Sequence, residues 1–222
     1  MDHTFWLQTW REGRIGFHRD TPLPLLTRHW PHLEVPADTR VLVPLCGKTP
    51  DMMWLRRQGH HVLGVELSPL AVEQFFATHD LVPETATSAM GTHYRADGIE
   101  IIQGDIFTLD DRTLATCGAV YDRAAIVALP PDMRRRYVET VYDRLAPGTR
   151  ALLVTLEYAQ AQMDGPPFSV TADMLGTLFD AHWHIRTLDR RDILASEPGF
   201  RRRGLTSLHS GVYQLDRSTI SS

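Results

Sequence analysis

A glycine turn and an acid nineteen residues beyond it are the residues in this sequence best suited to bind a nucleoside. Gly47 follows a short apolar run at 41–43, and Glu66 closes a second apolar run at 61–65. Glycine in the first turn lets a ligand approach the backbone, and an acid ending the second strand can accept hydrogen bonds from both ribose hydroxyls. The spacing therefore predicts a unit of strand, turn, helix, strand and carboxylate.

The turn from Pro44 to Lys48 narrows the choice of ligand. A dinucleotide-binding loop carries three glycines around a pyrophosphate, whereas this turn has a single glycine and a proline. S-Adenosylmethionine has an adenine and a ribose but no phosphate, so a turn with one glycine suits it better. The alternative is an ordinary βαβ unit with a glutamate on its surface, and the pattern alone leaves that open.

Two more charged residues follow apolar runs and are candidates for the same site. Asp105 comes after the run at 99–102, where it can hold an adenine amino group or simply cap a turn. Arg123 ends the run that starts at Ala119, and the carboxyl ends of parallel strands line the ligand crevice of an open sheet. An arginine there can grip a carboxylate or an anionic acceptor, with the neighbouring Asp122 as the alternative ion-pair partner.

The elements that position these residues alternate between strand and helix, which is typical of an α/β protein with a parallel sheet. Ser68 and Pro69 predict the start of a helix that runs to about residue 79. The clearest helix spans 131–145, and two late strands are expected at 184–188 and 212–215. The polar stretch at 82–97 is predicted to be a loop with one strand at most.

The N-terminal segment lies outside the βαβ pattern. Trp6 and Trp10 are four residues apart and share one face of a short predicted helix. That helix runs into Gly13, Gly16 and Phe17, a flexible and aromatic stretch. Such a segment can close over a ligand and place aromatic faces against adenine or a cationic sulfonium, or it can pack in the core. The residues alone do not decide between the two.

Composition excludes several classes of function. The 222 residues carry a net charge of −4, which argues against a nucleic-acid binder. No run is long enough to cross a membrane and no signal peptide is evident, so we expect a cytoplasmic protein without a membrane role. Cys46 and Cys117 are too few for a disulfide framework, and no residues have metal-ligand spacing. No exposed heptad is visible, so a monomer is expected.

Several motifs together resemble those of one family. They are VLVPLCGK at 41–48, GHHVLGVELS at 59–68, DIF at 105–107, YDRAA at 121–125, GPPF at 165–168 and an N-terminal W-x3-W-x6-FH. This set closely resembles the thiopurine S-methyltransferases, within the class I S-adenosylmethionine-dependent methyltransferases. The resemblance implies a Rossmann-like α/β fold with a mostly parallel seven-stranded sheet, helices on both faces and an antiparallel last strand. It also implies a single domain over 1–222, with a helical lid at 1–37 and a core at 38–217.

The resemblance implies two sets of site residues. Those expected at S-adenosylmethionine are Trp6, Trp10, Leu45, Gly47, Glu66, Asp105, Ile106 and Arg123. Those expected at the acceptor are Phe17, Phe168 and again Arg123, which could stabilise an anionic acceptor; no residue is implied as a general base. A further arginine among Arg201, Arg202 and Arg203 is implied to face the acceptor, and the register does not show which.

The activity that the resemblance implies is methyl transfer to the sulfur of an aromatic or heterocyclic thiol, with selenium or tellurium species as further acceptors. Two other interpretations stay open: a catalytically silent S-adenosylmethionine-binding sensor, and a small-molecule methyltransferase with another acceptor atom. An amino-directed enzyme would carry an Asn/Asp-Pro-Pro-aromatic motif after the fourth strand, where this sequence reads Asp122-Arg123-Ala124-Ala125.

Overall fold

The strands of this computed structural model, which describes residues 3–179 and 182–219, form one mixed sheet. They are β1 (Arg40–Pro44), β2 (His61–Glu66), β3 (Glu84–Ser88), β4 (Gly91–Ala96), β5 (Ile99–Gln103), β6 (Cys117–Arg123), β7 (Arg150–Glu157), β8 (Trp183–Asp192) and β9 (His209–Arg217). The α-helices are α1 (His3–Arg11), α2 (Pro24–His29), α3 (Asp51–Arg57), α4 (Pro69–Thr78), α5 (Asp111–Ala115), α6 (Pro131–Thr140), α7 (Ala172–Phe179) and α8 (Pro198–Arg202).

The order of strands in the sheet is β3-β4-β5-β2-β1-β6-β7-β9-β8. Strands β5, β2, β1, β6 and β7 are parallel, and β9 pairs antiparallel with both β7 and β8. The α/β class, the mostly parallel sheet and the antiparallel last strand are therefore confirmed. Strands β2 to β5 lie on one side of β1, and the strands from β6 onward lie on its other side. Such a switch point between two neighbouring parallel strands places a ligand crevice at the carboxyl ends of β1 and β6.

The predicted number of seven strands is too low by two in the described part of the chain. The stretch at 82–97 forms the hairpin of β3 and β4, which extends the sheet antiparallel beyond β5. All five residues of β3 are exposed, so the strand has no buried face and no alternation of apolar residues. Its polar sequence therefore looked like a loop, since strand patterns are recognised from a half-buried face.

Each face of the sheet is covered by helices around its own apolar cluster. Tyr137 of α6 and Phe179 of α7 are buried on one face. Leu26 of α2, Leu55 of α3 and Phe75 of α4 are buried on the other. The central strands are thus buried on both sides, which explains their continuous apolar runs.

Two of the predicted helices show how local sequence sets helix ends. The Ser68 hydroxyl accepts a 3.4 Å hydrogen bond from the backbone N–H of Ala71, so the predicted N-cap of α4 is confirmed. Helix α6 ends at Thr140 rather than at residue 145, and a 3₁₀ turn at Tyr142–Arg144 follows. Val141 and Leu145 nevertheless stay in the core, so the apolar stripe continues through the turn.

The N-terminal segment is anchored to the sheet through a buried acid. Oδ1 of Asp51 accepts a 2.7 Å hydrogen bond from the backbone N–H of Leu23, which precedes α2. Oδ2 of the same carboxylate accepts a 2.8 Å hydrogen bond from the hydroxyl of Tyr121 on β6. One side chain thus joins the start of α2 to the centre of the sheet.

Neither a membrane-spanning helix nor a metal cluster occurs within residues 3–179 and 182–219. No helix there has both the length and the apolar character needed to cross a bilayer. No three His, Cys, Asp or Glu side chains come close enough together there to hold a metal ion.

Candidate active site

A cavity of about 1030 Å³ opens at the carboxyl ends of the central strands. The strand ends and the loops after β1, β2, β5 and β6 form one part of its wall, and β7, β8 and β9 form another. Helix α1 and the chain that follows it contribute a third part. Nine of the ten predicted site residues line this cavity: Trp6, Trp10, Phe17, Leu45, Gly47, Glu66, Asp105, Ile106 and Arg123.

Glu66 is the acid at the end of β2, and it is only 6% exposed. Its Oε2 accepts a 2.8 Å hydrogen bond from the backbone N–H of Gly47, and its Oε1 accepts a 2.7 Å hydrogen bond from the backbone N–H of Ser68. Burial raises the pKa of this carboxyl, while the backbone donors of Ser68 and Gly47 oppose that rise. The carboxylate is therefore held in one orientation at the cavity wall.

The turn after β1 brings backbone rather than side chain to the cavity. Leu45 and Gly47 both have positive φ, of 47° and 54°. A Cβ atom on Gly47 would lie 3.1 Å from Cζ2 of Trp10, so the indole of α1 packs directly on the bare glycine. This close approach explains why the turn needs a glycine at that position.

Asp105 does cap a turn, and it also has a second contact. It is the N-cap of the 3₁₀ turn Ile106–Thr108, and its Oδ1 accepts a 3.0 Å hydrogen bond from the backbone N–H of Phe107. Its Oδ2 lies 3.1 Å from Nε2 of His3 on α1. The carboxylate thus links the turn after β5 to the N-terminal helix, beside the cavity.

Three aromatic side chains of the N-terminal segment pack together at the cavity. The ring of Phe17 lies 6.1 Å from that of Trp6 and 5.9 Å from that of Trp10, both edge to face. Trp10 is buried and Trp6 is partly buried. Ligand cover and core packing are therefore not exclusive, since Phe17 packs on both indoles and all three residues line the cavity.

Arg123 ends β6 and makes no ion pair or side-chain hydrogen bond with another residue in the described ranges. Asp122, the alternative partner, points into the opposite face of the sheet. It is fully buried and accepts hydrogen bonds from the hydroxyls of Tyr137 and Tyr142, at 2.8 and 3.0 Å. The guanidinium of Arg123 therefore remains available to a ligand.

Phe168 is the predicted site residue that the structure does not bring to the cavity. Its ring folds back over Gly165, where a Cβ atom would lie 2.6 Å from a ring carbon. The guanidinium of Arg134 lies over the ring at 5.5 Å. Gly165, Pro166 and Pro167 line the cavity instead, so the loop reaches it through residues that precede the phenylalanine.

Of the three consecutive arginines, Arg203 lines the cavity, whereas Arg201 and Arg202 do not. The guanidinium of Arg203 lies 6.0 Å from the ring centroid of Phe200. Sequence reasoning missed Arg191 and Ser210, which also line the cavity from β8 and β9. The signal that could have found Arg191 is its place in a charged run at the end of a predicted strand.

The sequence as a whole is similar to one known family. A model of the family described as "Thiopurine S-methyltransferase (TPMT)" matches residues 1–218. A protein of Xanthomonas campestris pv. campestris (strain 8004) named "Thiopurine S-methyltransferase" is 58% identical, and the match covers 98% of this chain and 100% of that protein. The chain belongs to the thiopurine S-methyltransferase family. A Bordetella pertussis protein of the same name is 56% identical, over 98% of this chain and 99% of its own.

A solved structure supports the fold. The 1,6-didemethyltoxoflavin-N1-methyltransferase of Burkholderia thailandensis, solved with 1,6-didemethyltoxoflavin and S-adenosylhomocysteine bound, superimposes with a TM-score of 0.65. The match covers 97% of this chain and 87% of that one at 19% identity, so it shows the class I methyltransferase fold alone. As a member of the thiopurine S-methyltransferase family, the enzyme uses S-adenosylmethionine as its methyl donor.

Proposed function

We propose that this enzyme methylates the sulfur of an aromatic or heterocyclic thiol that binds as its anion. The observation that carries the proposal is Arg123, a guanidinium in the cavity wall without a carboxylate partner in the described chain. Its strand, β6, lies between β1 of the cofactor-binding unit and β7, which begins the apolar wall. A guanidinium at that position favours a thiolate over a neutral hydroxyl or amine as acceptor.

The residues at the β1, β2 and β5 ends fit S-adenosylmethionine. Each oxygen of Glu66 accepts one backbone hydrogen bond, and a carboxylate oxygen has a second lone pair that can accept a ribose hydroxyl. Asp105 and Ile106 are proposed to border the adenine, with Leu45 and Gly47 along the cofactor. A cavity of about 1030 Å³ exceeds the size typical for one small ligand, so it has room for the cofactor and an acceptor together.

Residues 1–37, of which 1 and 2 lie outside the described part of the chain, are proposed to form a lid over this cofactor within a single-domain protein. Support comes from Trp6, Trp10 and Phe17, whose rings line the cavity beside the glycine turn. Aromatic faces stabilise a nearby cation, and they exclude water from the reacting atoms. The hydrogen bond from Leu23 to Asp51 fixes the segment's far end to the core.

The main catalytic role proposed for the protein is to align the acceptor sulfur with the methyl group of the cofactor. When bound, S-adenosylmethionine supplies an electrophilic methyl group for direct displacement by the acceptor sulfur. Arg123 is proposed to favour the ionised acceptor, and aromatic thiols ionise readily, so the chain needs no dedicated general base. Holding two reactants in line contributes much of the rate in such a reaction. The apolar wall of Val154, Leu156 and Val212 is proposed to orient the ring of the acceptor.

The test combines binding with turnover. Isothermal titration with S-adenosylhomocysteine is followed by transfer of labelled methyl to aromatic thiols, thiopurines, selenite and one catechol. Turnover of thiols above the catechol is the expected result, and the ranking shows whether selenium species are acceptors as well. Binding without any turnover would favour a sensor, and preferred methylation of the catechol would contradict a sulfur acceptor.

We also propose a monomer that works in the reducing cytoplasm. Cys46 and Cys117 are both buried free thiols. The only large apolar side chains that are exposed in the described ranges are Val82 and Met174, at 92% and 43%, so no sizeable apolar patch favours a partner there. Sedimentation at micromolar concentration tests this, with a single species of 25.2 kDa as the expected result.

A further inference from the structure

The wall of the cavity opposite the cofactor residues is built by matched positions on three strands. Residues directly opposite each other in an antiparallel sheet point to the same face. The register of β7, β9 and β8 therefore gives two rows on the cavity side, all six members of which line the cavity: Val154, Val212 and Asp189 in one row, and Leu156, Ser210 and Arg191 in the other.

A β-bulge puts charged residues into these rows. Thr187 pairs with Tyr213, but the next pair joins Val212 to Asp189, so Leu188 is the extra residue. Without the bulge Leu188 would lie opposite Val212 and Arg190 opposite Ser210, so Asp189 and Arg191 would shift out of the rows. Bulges next to active sites commonly re-aim a side chain in this way. The neighbouring Arg190 points away and binds Oε2 of Glu157 at 2.8 Å.

Arg191 makes one ion pair in the described part of the chain, which leaves most of its donors unused. Its Nη2 lies 2.7 Å from Oδ2 of Asp189, two residues earlier on the same strand. Nε2 of His29, on α2, lies 3.4 Å from the same oxygen, so the N-terminal segment also packs against this acid. Both side chains thus lie close to Oδ2 of Asp189, and Arg191 makes no other ion pair with the described residues.

Ser210 adds a hydroxyl directly across from Arg191. It is 8% exposed and lines the cavity, yet its side chain makes no hydrogen bond to any residue in the described ranges. Its Oγ is not among the side-chain atoms that are both shielded and unpaired, so the hydroxyl is open to the cavity, where it can bond to a ligand. A guanidinium and an unpaired hydroxyl on one row of the wall form a suitable site for the oxygens of a carboxylate.

The charge of the cavity leaves room for a second anion only beside a cation of its own. Its lining includes five arginines and four acids, namely Arg14, Arg19, Arg123, Arg191 and Arg203 and Glu66, Asp105, Asp189 and Glu197. Arg14 is already paired with Glu12 at 2.5 Å, so the other four arginines balance the four acids. S-Adenosylmethionine adds one net positive charge, since its ammonium and sulfonium exceed its single carboxylate, and the thiolate neutralises that charge. A second anionic group on the acceptor therefore needs a direct partner, and Arg191 is the arginine on the wall opposite the cofactor residues.

We propose that Arg191 and Ser210 bind an anionic substituent on the ring of the acceptor, such as a carboxylate, and that Asp189 positions Arg191 for it. The inference deepens the proposed function and rests on it. It makes Arg191 a specificity-determining residue for carboxylated aromatic thiols, remote from the sulfur. Arg123 remains the contact proposed for the sulfur end.

The test compares two acceptors that differ in one group, 4-mercaptobenzoate and thiophenol, in the full-length enzyme. Arg191→Gln should raise KM for 4-mercaptobenzoate by about 10-fold or more, the usual effect of losing a hydrogen-bonded charge. KM for thiophenol should change by less than about 2-fold, since no charge contact is lost. The matched control is Arg190→Gln, which removes the same charge from the other face of β8 and should leave the ratio of the two KM values unchanged.

The outcomes separate this inference from the proposed function. If the wild-type enzyme turns over both thiols and Arg191→Gln leaves their KM ratio unchanged, the subsite is refuted and the thiol methyltransferase stands. If no thiol is turned over while S-adenosylhomocysteine binds, the proposed function itself fails. For the positioning role, Asp189→Asn should raise KM for 4-mercaptobenzoate without changing kcat, and adding it to Arg191→Gln should have no further effect. A lower KM in Asp189→Asn would overturn that role.

Discussion

The backbone N–H of Gly47 donates a 2.8 Å hydrogen bond to Oε2 of Glu66, which fixes the acid at the end of β2 to the turn after β1. The backbone N–H of Ser68 holds the other oxygen at 2.7 Å. Because both bonds come from main chain, the orientation of the carboxylate depends on the fold rather than on mobile side chains. The remaining lone pairs on the two oxygens are therefore preorganised for a pair of hydroxyls.

Replacing this acid tests its proposed role toward the ribose. Glu66→Gln keeps the shape but turns an amide NH₂ toward one of the two backbone donors and removes the charge. We expect the Kd for S-adenosylhomocysteine to rise at least about 10-fold, since hydrogen bonds to a charged group are among the strong ones. Isothermal titration measures this. Glu73→Gln, on the exposed side of α4, is the matched control and should leave Kd unchanged.

A conservative change at Arg123 separates acceptor from cofactor. Lysine keeps the charge but loses the planar pair of donors that binds an anion in two places. We expect Arg123→Lys to raise KM for the thiol by about 10-fold, with a smaller effect on the Kd of S-adenosylhomocysteine. Steady-state kinetics and titration give the two values. Equal effects on both would mean that the arginine does not act on the acceptor.

Much of the cofactor half of the site was predictable, because it depends on short-range sequence. Gly47 and Glu66 belong to one βαβ unit, where spacing along the chain fixes spacing in the fold. Arg123 followed from its place at the end of an apolar strand. The aromatic residues of α1 were recognised as a pair, although only their contacts with Phe17 and Gly47 show that they both pack and line the cavity.

The acceptor-binding half of the site was less predictable, because it depends on the register between strands that are far apart in the sequence. The bulge after Thr187 decides that Arg191 faces the cavity, and a one-residue shift in a strand is invisible in its sequence. Phe168 was misplaced because its ring turns back onto Gly165, a contact set by the loop rather than by the residue's type. The exposed strand β3 was missed because it has no buried face to show a pattern.

Asp122 should give the stability of the protein a distinct pH dependence. Burial raises the pKa of its carboxyl to about 6, despite donors from Tyr137, Tyr142 and Ile126. The Asp122 carboxyl therefore keeps its proton to a higher pH in the folded state than in the unfolded state. Above pH 6, where the buried carboxyl is ionised, this lowers the free energy of unfolding by about 3 kcal/mol. Lowering the pH from 7 toward 4 removes the penalty, so this group favours folding more at low pH.

The raised pKa of Asp122 is tested by comparing the free energy of unfolding of the wild type and of one variant as a function of pH. Urea unfolding of the wild type and of Asp122→Asn at pH 4 to 7 should show the wild type gaining stability relative to the variant as the pH falls through about 6. A difference that is constant with pH would contradict the raised pKa. If the variant does not fold, the ¹³C shift of the Asp122 carboxyl in the wild type gives the pKa directly.

Gly64 on β2 should tolerate no side chain. A Cβ atom there would lie 2.8 Å from Sγ of Cys46 and 3.0 Å from Sδ of Met52. We expect Gly64→Ala to lower the free energy of unfolding by about 1–3 kcal/mol, as overpacking usually does. Cys46→Ala removes the closest atom, so the double variant should regain part of that loss in urea denaturation. An additive loss would mean that Cys46 is not the obstacle.

The same Cys46→Ala variant tests whether the thiol takes part in methyl transfer. Burial raises the pKa of Cys46 well above its usual value, so the reactive thiolate is scarce, and the side chain packs against the core. We expect turnover to stay within about 2-fold of the wild type, since no catalytic contact is removed. Labelled methyl retained on the wild-type protein and absent from the variant would instead identify Cys46 as a methyl carrier.

Gly47 combines a strained backbone with a close neighbour, and two glycine variants can separate these effects. Gly47 has a φ of 54° and would place a Cβ atom 3.1 Å from Trp10, whereas Gly59 has a φ of 92° and no atom within 4 Å of such a Cβ. Both Gly47→Ala and Gly59→Ala should lose about 1 kcal/mol of stability or more through backbone strain. Only Gly47→Ala should also displace the indole or the turn that binds Glu66. We therefore expect its Kd for S-adenosylhomocysteine to rise about 10-fold, while Gly59→Ala keeps the wild-type value. If both variants bound the ligand equally well, the packing of Trp10 on the glycine turn would have no part in cofactor binding.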